Sequence, residues 1–271
     1  MKDPRRRAEA FLEGVGTHVW DGTSLPVPVE TIADSHVGLL VVEVPVGKLN
    51  EVPGAPADAD LSGLLLVDRG QIWVNDWEAQ QWPGRKRFTI GHELGHWELH
   101  RHQGSMFCRT AQVTAERPAV DIEEQASLFG AGLMFPTHLV REHHAKLDGD
   151  VGTLCELFGA SRVAMERAIC FAVRRPLRDS LGDDVEMFHY DDEGYCAWRD
   201  AHADDGFVLN DDLSNGDGCK LHRACCSHLH RALKELDPPR THRPKWCATD
   251  AAVLREVLPG AVACTRCIKS G

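Results

Sequence analysis

Residues 85–102 read RKRFTIGHELGHWELHRH, and the remainder of the chain is organised around them. The stretch opens just after Pro83-Gly84, contains no proline, and is apolar at Phe88, Leu94 and Leu99, so its spacing predicts a helix. At about 3.6 residues per turn, His92 and His96 lie about 40° apart around the axis and one turn apart along it. Both imidazoles then aim at one point, as a single metal ion requires. Glu93 falls beside the pair, where a carboxylate reaches a water activated by the metal instead of the metal itself. A histidine pair on a helix face is often only solvated. Here Gly91 and Gly95 thin the helix for a close neighbour, the segment is embedded in apolar residues, and a carboxylate donor follows downstream.

That donor lies in IEEQASLFGAGLMF, a second expected helix stopped by Pro136, with Ile122, Ala126, Phe129 and Leu133 as its apolar stripe. Glu123 shares a column with Ser127, Gly130 and Met134, and the small residues in that column let another helix approach. A carboxylate brought to His92 and His96 would complete a His-His-Glu zinc site with an open fourth position. Periodicity favours Glu123 and leaves Glu124, one residue on, as its rival.

The two runs RFTIGHELGHWELH and IEEQASLFGAGLMFP, with LPVPVETIADSHVGLLVVEV upstream, resemble the ImmA/IrrE-type metallopeptidases over about residues 20 to 175. The resemblance implies zinc ligands at His92, His96 and Glu123, and a catalytic base at Glu93. It also implies peptide hydrolysis, with a helix-turn-helix repressor as substrate and release of stress, phage-defence or mobile-element genes as the outcome. In that chemistry zinc polarises the scissile carbonyl and brings the pKa of water from about 15.7 toward about 7. Glu93 takes a proton and later delivers it to the leaving amine. His18, His100 and His102 are candidates for a further oxyanion donor, without a spacing argument for any of them. Ser127 stands where the family usually has Asn, Gly130 where it has Ala, and Trp97 where Tyr is frequent.

The chain has 271 residues, 43% of them apolar and 26% charged, enough for two globular units. A formal net charge of -11 gives no electrostatic case for sequence-independent binding to nucleic acid. No leader-like or membrane-spanning apolar run is present, so a cytoplasmic location is expected. There the ten cysteines should be reduced and available to metals. Upstream of the motif, Pro4 to Val19 and Val27 to Ala33 read as helices, and Val37 to Val44, Leu61 to Val67 and Gln71 to Asn75 as strands. Asp68-Arg69-Gly70 closes the last two into a hairpin, and the edge of such a sheet suits an extended peptide. Cys108, in a polar loop expected from Gln103 to Pro118, is a candidate inhibitory latch on the open zinc position. Leu154 to Val173 has the cadence of a helix-turn-helix, but only Arg162 and Arg167 suit base reading, so helical packing is preferred.

Seven cysteines follow residue 180, and a polar connector near Gly182-Asp183-Asp184 suggests a border between a peptidase domain, 1–180, and a Cys/His-rich module, 185–271. GFVLN, from Gly206, reads as one of its strands. Cys226, Cys247, Cys264 and Cys267 are expected to form a structural zinc site, with His222 or Cys225 as substitutes and metal-free core cysteines as the plainer reading. This module is the place for an activator such as DNA or a small molecule. The expected fold is therefore α+β: a zincin-like domain of a small sheet, the HExxH helix and a helical bundle, followed by a small mixed module. The expected function is a zinc endopeptidase acting on a repressor. The competing class is a non-catalytic, metal-stabilised regulator that binds DNA or protein.

Overall fold

The computed structural model describes residues 3–52, 61–103, 106–110, 119–214, 218–229 and 240–268. The chain folds into two compact units, residues 1–139 with 155–161, and residues 140–154 with 162–271. Both mix helices with a small sheet, as expected of an α+β chain.

In the first unit, strands β1 (Leu40–Val44), β2 (Leu61–Leu66), β3 (Gln71–Asn75) and β4 (Met106–Thr110) form one sheet in the order β1-β3-β2-β4. β1 runs parallel to β3; β2 is antiparallel to both β3 and β4. The expected hairpin is present: a single helical turn over Val67–Arg69 leads to Gly70 at φ +59°, in the left-handed region that glycine enters without strain. β4 lies inside the stretch expected to be a polar loop, and its pairing with β2 supplies the order that its composition does not suggest. Every residue of β2 is buried, because the strand has neighbours on both sides and helices above it.

The HExxH helix runs over Pro83–His100, with proline in its first turn, where the missing N–H costs nothing. Its Thr89 occupies the space that a Cβ at Gly63 of β2 would need, so the helix can press onto the strand backbone. Arg87 anchors the segment 155–161 by donating to the carbonyl oxygens of Phe158 at 2.7 Å and Gly159 at 2.9 Å. The second ligand helix spans Ala119–Met134 and buries Ala126, Phe129 and Leu133, three members of the expected stripe. The N-terminal helix, Pro4–Glu13, begins with Asp3 accepting from the Arg5 N–H and stops well before Val19, at Gly14. It packs on the ligand helix where Gly132 leaves room for Ala8 and Arg5.

The second unit is built on a five-stranded sheet, β5 (Glu186–Phe188), β6 (Phe207–Asn210), β7 (Lys220–Arg223), β8 (Lys245–Ala248) and β9 (Val262–Ala263), in the order β5-β8-β6-β7-β9. All neighbours are antiparallel except β7 and β9. Alternation along the strands divides the core between two faces. Leu209, Leu221 and Trp246 pack with Leu254 on one side; Val208, Cys226 and Cys247 pack with Tyr195 on the other. Arg174 forms a buried ion pair with Asp211 at 2.7 Å, and the Trp246 indole N–H donates to the same carboxylate at 3.0 Å. Leu177 and Leu181 pack against this core, so the helices from Arg162 to Ser180 group with the second unit, whereas the sequence reading drew its border at 180.

The helix-turn-helix cadence materialises as helices Val151–Phe158 and Arg162–Ile169. Arg162 pairs with Glu166 at 3.0 Å, and Arg167 stacks over the Tyr190 ring at 4.6 Å. Both cations are engaged within the chain, as helical packing requires. Among the described residues no helix is long and apolar enough to cross a membrane.

Candidate metal centre

His92 and His96 are almost completely buried, at 1% and 0% exposure, and their Nε2 atoms face one another at 3.0 Å. The Glu123 carboxylate bridges the pair, with Oε2 at 3.1 Å from His92 Nε2 and Oε1 at 3.1 Å from His96 Nε2. Two imidazole nitrogens and a carboxylate thus form a triangle of near-equal edges. A tetrahedral zinc bound at about 2.0–2.1 Å to nitrogen and oxygen spaces its ligands by about 3.3–3.4 Å, so this donor set fits the ion closely. Burial pushes the Glu123 carboxyl up, but hydrogen bonding to His92 and His96 outweighs it and brings its pKa down to about 2. Glu123 is half-buried and turned to the histidines; Glu124 points to solvent. Of the two candidates, only Glu123 has the geometry of a third donor.

The approach of Glu123 depends on small residues at the helix crossing. A Cβ at Gly130 would lie 2.9 Å from Gly91 C and His92 N, and one at Gly95 would lie 2.7 Å from Ala126 O. The thin spots seen in the sequence are therefore filled by the backbone of the ligand helix. Gly130, a departure from the resembled family's Ala, makes the closest approach possible. Ser127, the departure from Asn, sits one helical turn after Glu123, and its Oγ lies 3.1 Å from His92 Nδ1. With a metal ion on Nε2, Nδ1 would carry the proton and donate a hydrogen bond to Ser127 Oγ. Such outer hydrogen bonds fix the tautomer and angle of a metal-binding histidine. The sequence reading left this residue's role open, and only its column position pointed to it.

Glu93, next to His92 on the helix, is fully buried, with Oε1 3.1 Å from where a Cβ at Gly63 would stand. Glycine at that point of β2 gives the carboxylate its space. His100 is buried one turn beyond His96, their ring centroids 5.8 Å apart, while His18 and His102 are exposed. Cys108 pairs through its backbone with Leu64, but its side chain lies outside the described residues.

A second donor group gathers in the other unit: His222, Cys226, Cys264 and Cys267 present ligand atoms all within 4.8 Å of one another. Three of the four expected cysteines are in it, and His222, named as a substitute, takes the fourth place. Cys247 is not in it, and the register shows why. Val208 of β6 pairs with His222 on one side and with Cys247 on the other, so Cys247 is two strand spacings, about 10 Å, from His222. Its thiol is buried in the sheet, and burial pushes its pKa up. Cys225 is exposed. A third group, Asp211, Asp212 and Cys219, is accounted for by the Arg174 ion pair, the Trp246 hydrogen bond and the bond from Cys219 Sγ to Asp212 at 3.1 Å.

Residues 48–169 match the family described as IrrE N-terminal-like domain, Peptidase M78. The match contains both ligand helices and agrees with the resemblance carried by HELGH and EEQASLFGAGLMFP. A solved Mycobacterium tuberculosis transcriptional regulator is similar to the chain at 16% identity and a TM-score of 0.42, over 79% of this chain and 54% of that one. The chain thus spans about half the length of that structure. No curated protein matches it.

Proposed function

We propose that the first unit is a zinc endopeptidase that cleaves a helix-turn-helix repressor and so releases the genes it silences. The observation that carries this reading is the convergence of His92, His96 and Glu123, with Glu93, the residue after His92 on the same helix, fully buried. A purely structural site has no use for an acid-base group next to its ligands and closes its fourth position with protein. Zinc held by the three donors supplies a Lewis acid that polarises the scissile carbonyl and makes water nucleophilic near neutral pH. His92 and His96 hold their acceptor nitrogens toward it, the first of them oriented by Ser127. Glu93 accepts the proton of the attacking water on its carboxylate and returns it to the leaving nitrogen, which separates as a neutral amine. The repressor as substrate rests on the family likeness. The second unit, mostly outside the matched stretch, is the place we assign to an activating input.

The test is incubation of the full chain with helix-turn-helix repressors from the same genome, starting with any encoded beside it, read by intact mass. Two fragments summing to the substrate plus one water, lost with a chelator and restored by zinc, are the expected result. An intact repressor in the presence of the zinc-loaded chain and its activators would leave the regulator reading, in which the metal only supports binding.

A further inference from the structure

We infer that the second unit holds its own zinc ion, bound by His222, Cys226, Cys264 and Cys267, and that this ion fastens the end of the chain to the sheet. The four donors come from three places: strand β7, the turn that follows it, and the turn after β9. Their ligand atoms lie within 4.8 Å of one another, and a tetrahedral zinc with bonds of about 2.3 Å to sulfur sets sulfur spacings of about 3.8 Å.

An independent observation points to a ligand. His222 is 2% exposed, and its Nδ1 is buried with no hydrogen-bond partner among the described residues, while Nε2 faces Asn210 Nδ2 at 3.5 Å. A buried ring nitrogen without a partner is costly unless something occupies its lone pair. The sulfurs are prepared for negative charge, since the Arg223 backbone N–H donates to Cys267 Sγ at 3.3 Å. His228 Nδ1 lies 3.5 Å from Cys264 Sγ from an exposed position, as an outer partner to the sulfur. The nine described cysteines are all free thiols, so no disulfide competes for them.

Three sulfurs and one imidazole form a soft set that selects zinc over magnesium or calcium. On binding, three thiols release three protons, and the centre carries one net negative charge. The structural consequence follows from β9, which has only two residues and, among the described residues, pairs with β7 alone. So short a strand holds weakly by hydrogen bonding, and the metal supplies the attachment that a larger core would give elsewhere. The set also replaces the four-thiolate arrangement suggested by the cysteine spacing, because Cys247 is two strands away from His222.

The experiment uses the full chain carrying His96→Ala, which empties the first centre, purified under reductant. It should hold one zinc per chain, exchangeable for cobalt with a sulfur-to-cobalt charge-transfer band. Adding Cys264→Ser should remove the metal, whereas adding Cys247→Ala should leave it. In case the serine variant misfolds, wild type is titrated with a mercurial reagent: one zinc should be released as three thiols react, with hydrogen exchange rising over residues 262–268. Absence of both zinc and the cobalt band in the His96→Ala chain would overturn the assignment. So would a band that disappears with Cys247→Ala but persists with His222→Ala. Neither readout depends on repressor cleavage, so this site stands or falls apart from the peptidase reading.

Discussion

The two donor clusters are built by opposite means. In the first unit the donors ride on two long helices, Pro83–His100 and Ala119–Met134, whose crossing is set by Gly91, Gly95 and Gly130. In the second unit they come from a four-residue strand, a turn and a two-residue strand's exit. Helices hold side chains at fixed rotation, so the first cluster keeps its shape largely through packing. The second is gathered from elements too short to be stable alone, in a unit whose sheet also carries the buried Arg174–Asp211–Trp246 network. On the proposed reading, the difference teaches that one chain can hold a metal on a rigid scaffold where chemistry is needed and use another as scaffold where a core is thin.

The sharpest way to break this contrast is Arg174→Ala. It leaves Asp211 buried without its cation, and removal of one member of a buried pair costs about 3–5 kcal/mol. Denaturant melting followed by Trp246 fluorescence should show that loss in the second unit, while hydrogen exchange over the HExxH helix stays as in wild type. Equal destabilisation of both units would erase the distinction. Next in size is Gly95→Ala. Its new methyl would meet the Ala126 backbone at 2.7–2.8 Å, so the helices must separate, at a cost of about 1–3 kcal/mol, and zinc in the first centre should weaken with no change in the second. Ser127→Ala is gentler: the fold should persist, and zinc affinity at His92 should fall about 10- to 100-fold in a competition titration against a chromogenic chelator.

The smallest effect concerns acidity. Burial lowers the pKa of His189 to about 4 and also lowers that of His144, so both are neutral in the folded second unit. Their unfolded values, near 6.5, are higher, so the unfolded chain takes up protons first as pH falls. Stability from this source is complete above about pH 6.5 and drains as pH drops toward about 4. Thermal melts of the second unit between these limits should show the decline, and His189→Gln should flatten it.

Much of the first centre was legible because its information is local. HELGH brings His92, Glu93 and His96 within five residues, and the Ser127–Gly130 column predicts the close helix that carries Glu123. The Leu61–Asn75 hairpin is equally plain from its Asp68-Arg69-Gly70 turn and the apolar runs on either side. What could not be read depends on register and long-range pairing. β4 lies in a polar-looking stretch and is ordered by β2; Arg174 meets Asp211 across 37 residues. His222 outranks Cys247 as a donor only once both are seen to flank Val208 across the sheet. The CxxC spacing of Cys264 and Cys267 announced half a metal site, and nothing in the spacing could choose the other half.

The most direct test of the account measures zinc content and repressor cleavage on the same samples of wild type and Glu93→Gln. The converging donors of the first unit are His92, His96 and Glu123, so replacing Glu93 should leave the metal in place, and general acid-base groups contribute about 10²- to 10⁴-fold to rate. The account predicts two zinc ions per chain in both proteins, with cleavage reduced by at least about 100-fold in the variant. Undiminished cleavage by zinc-loaded Glu93→Gln would contradict it.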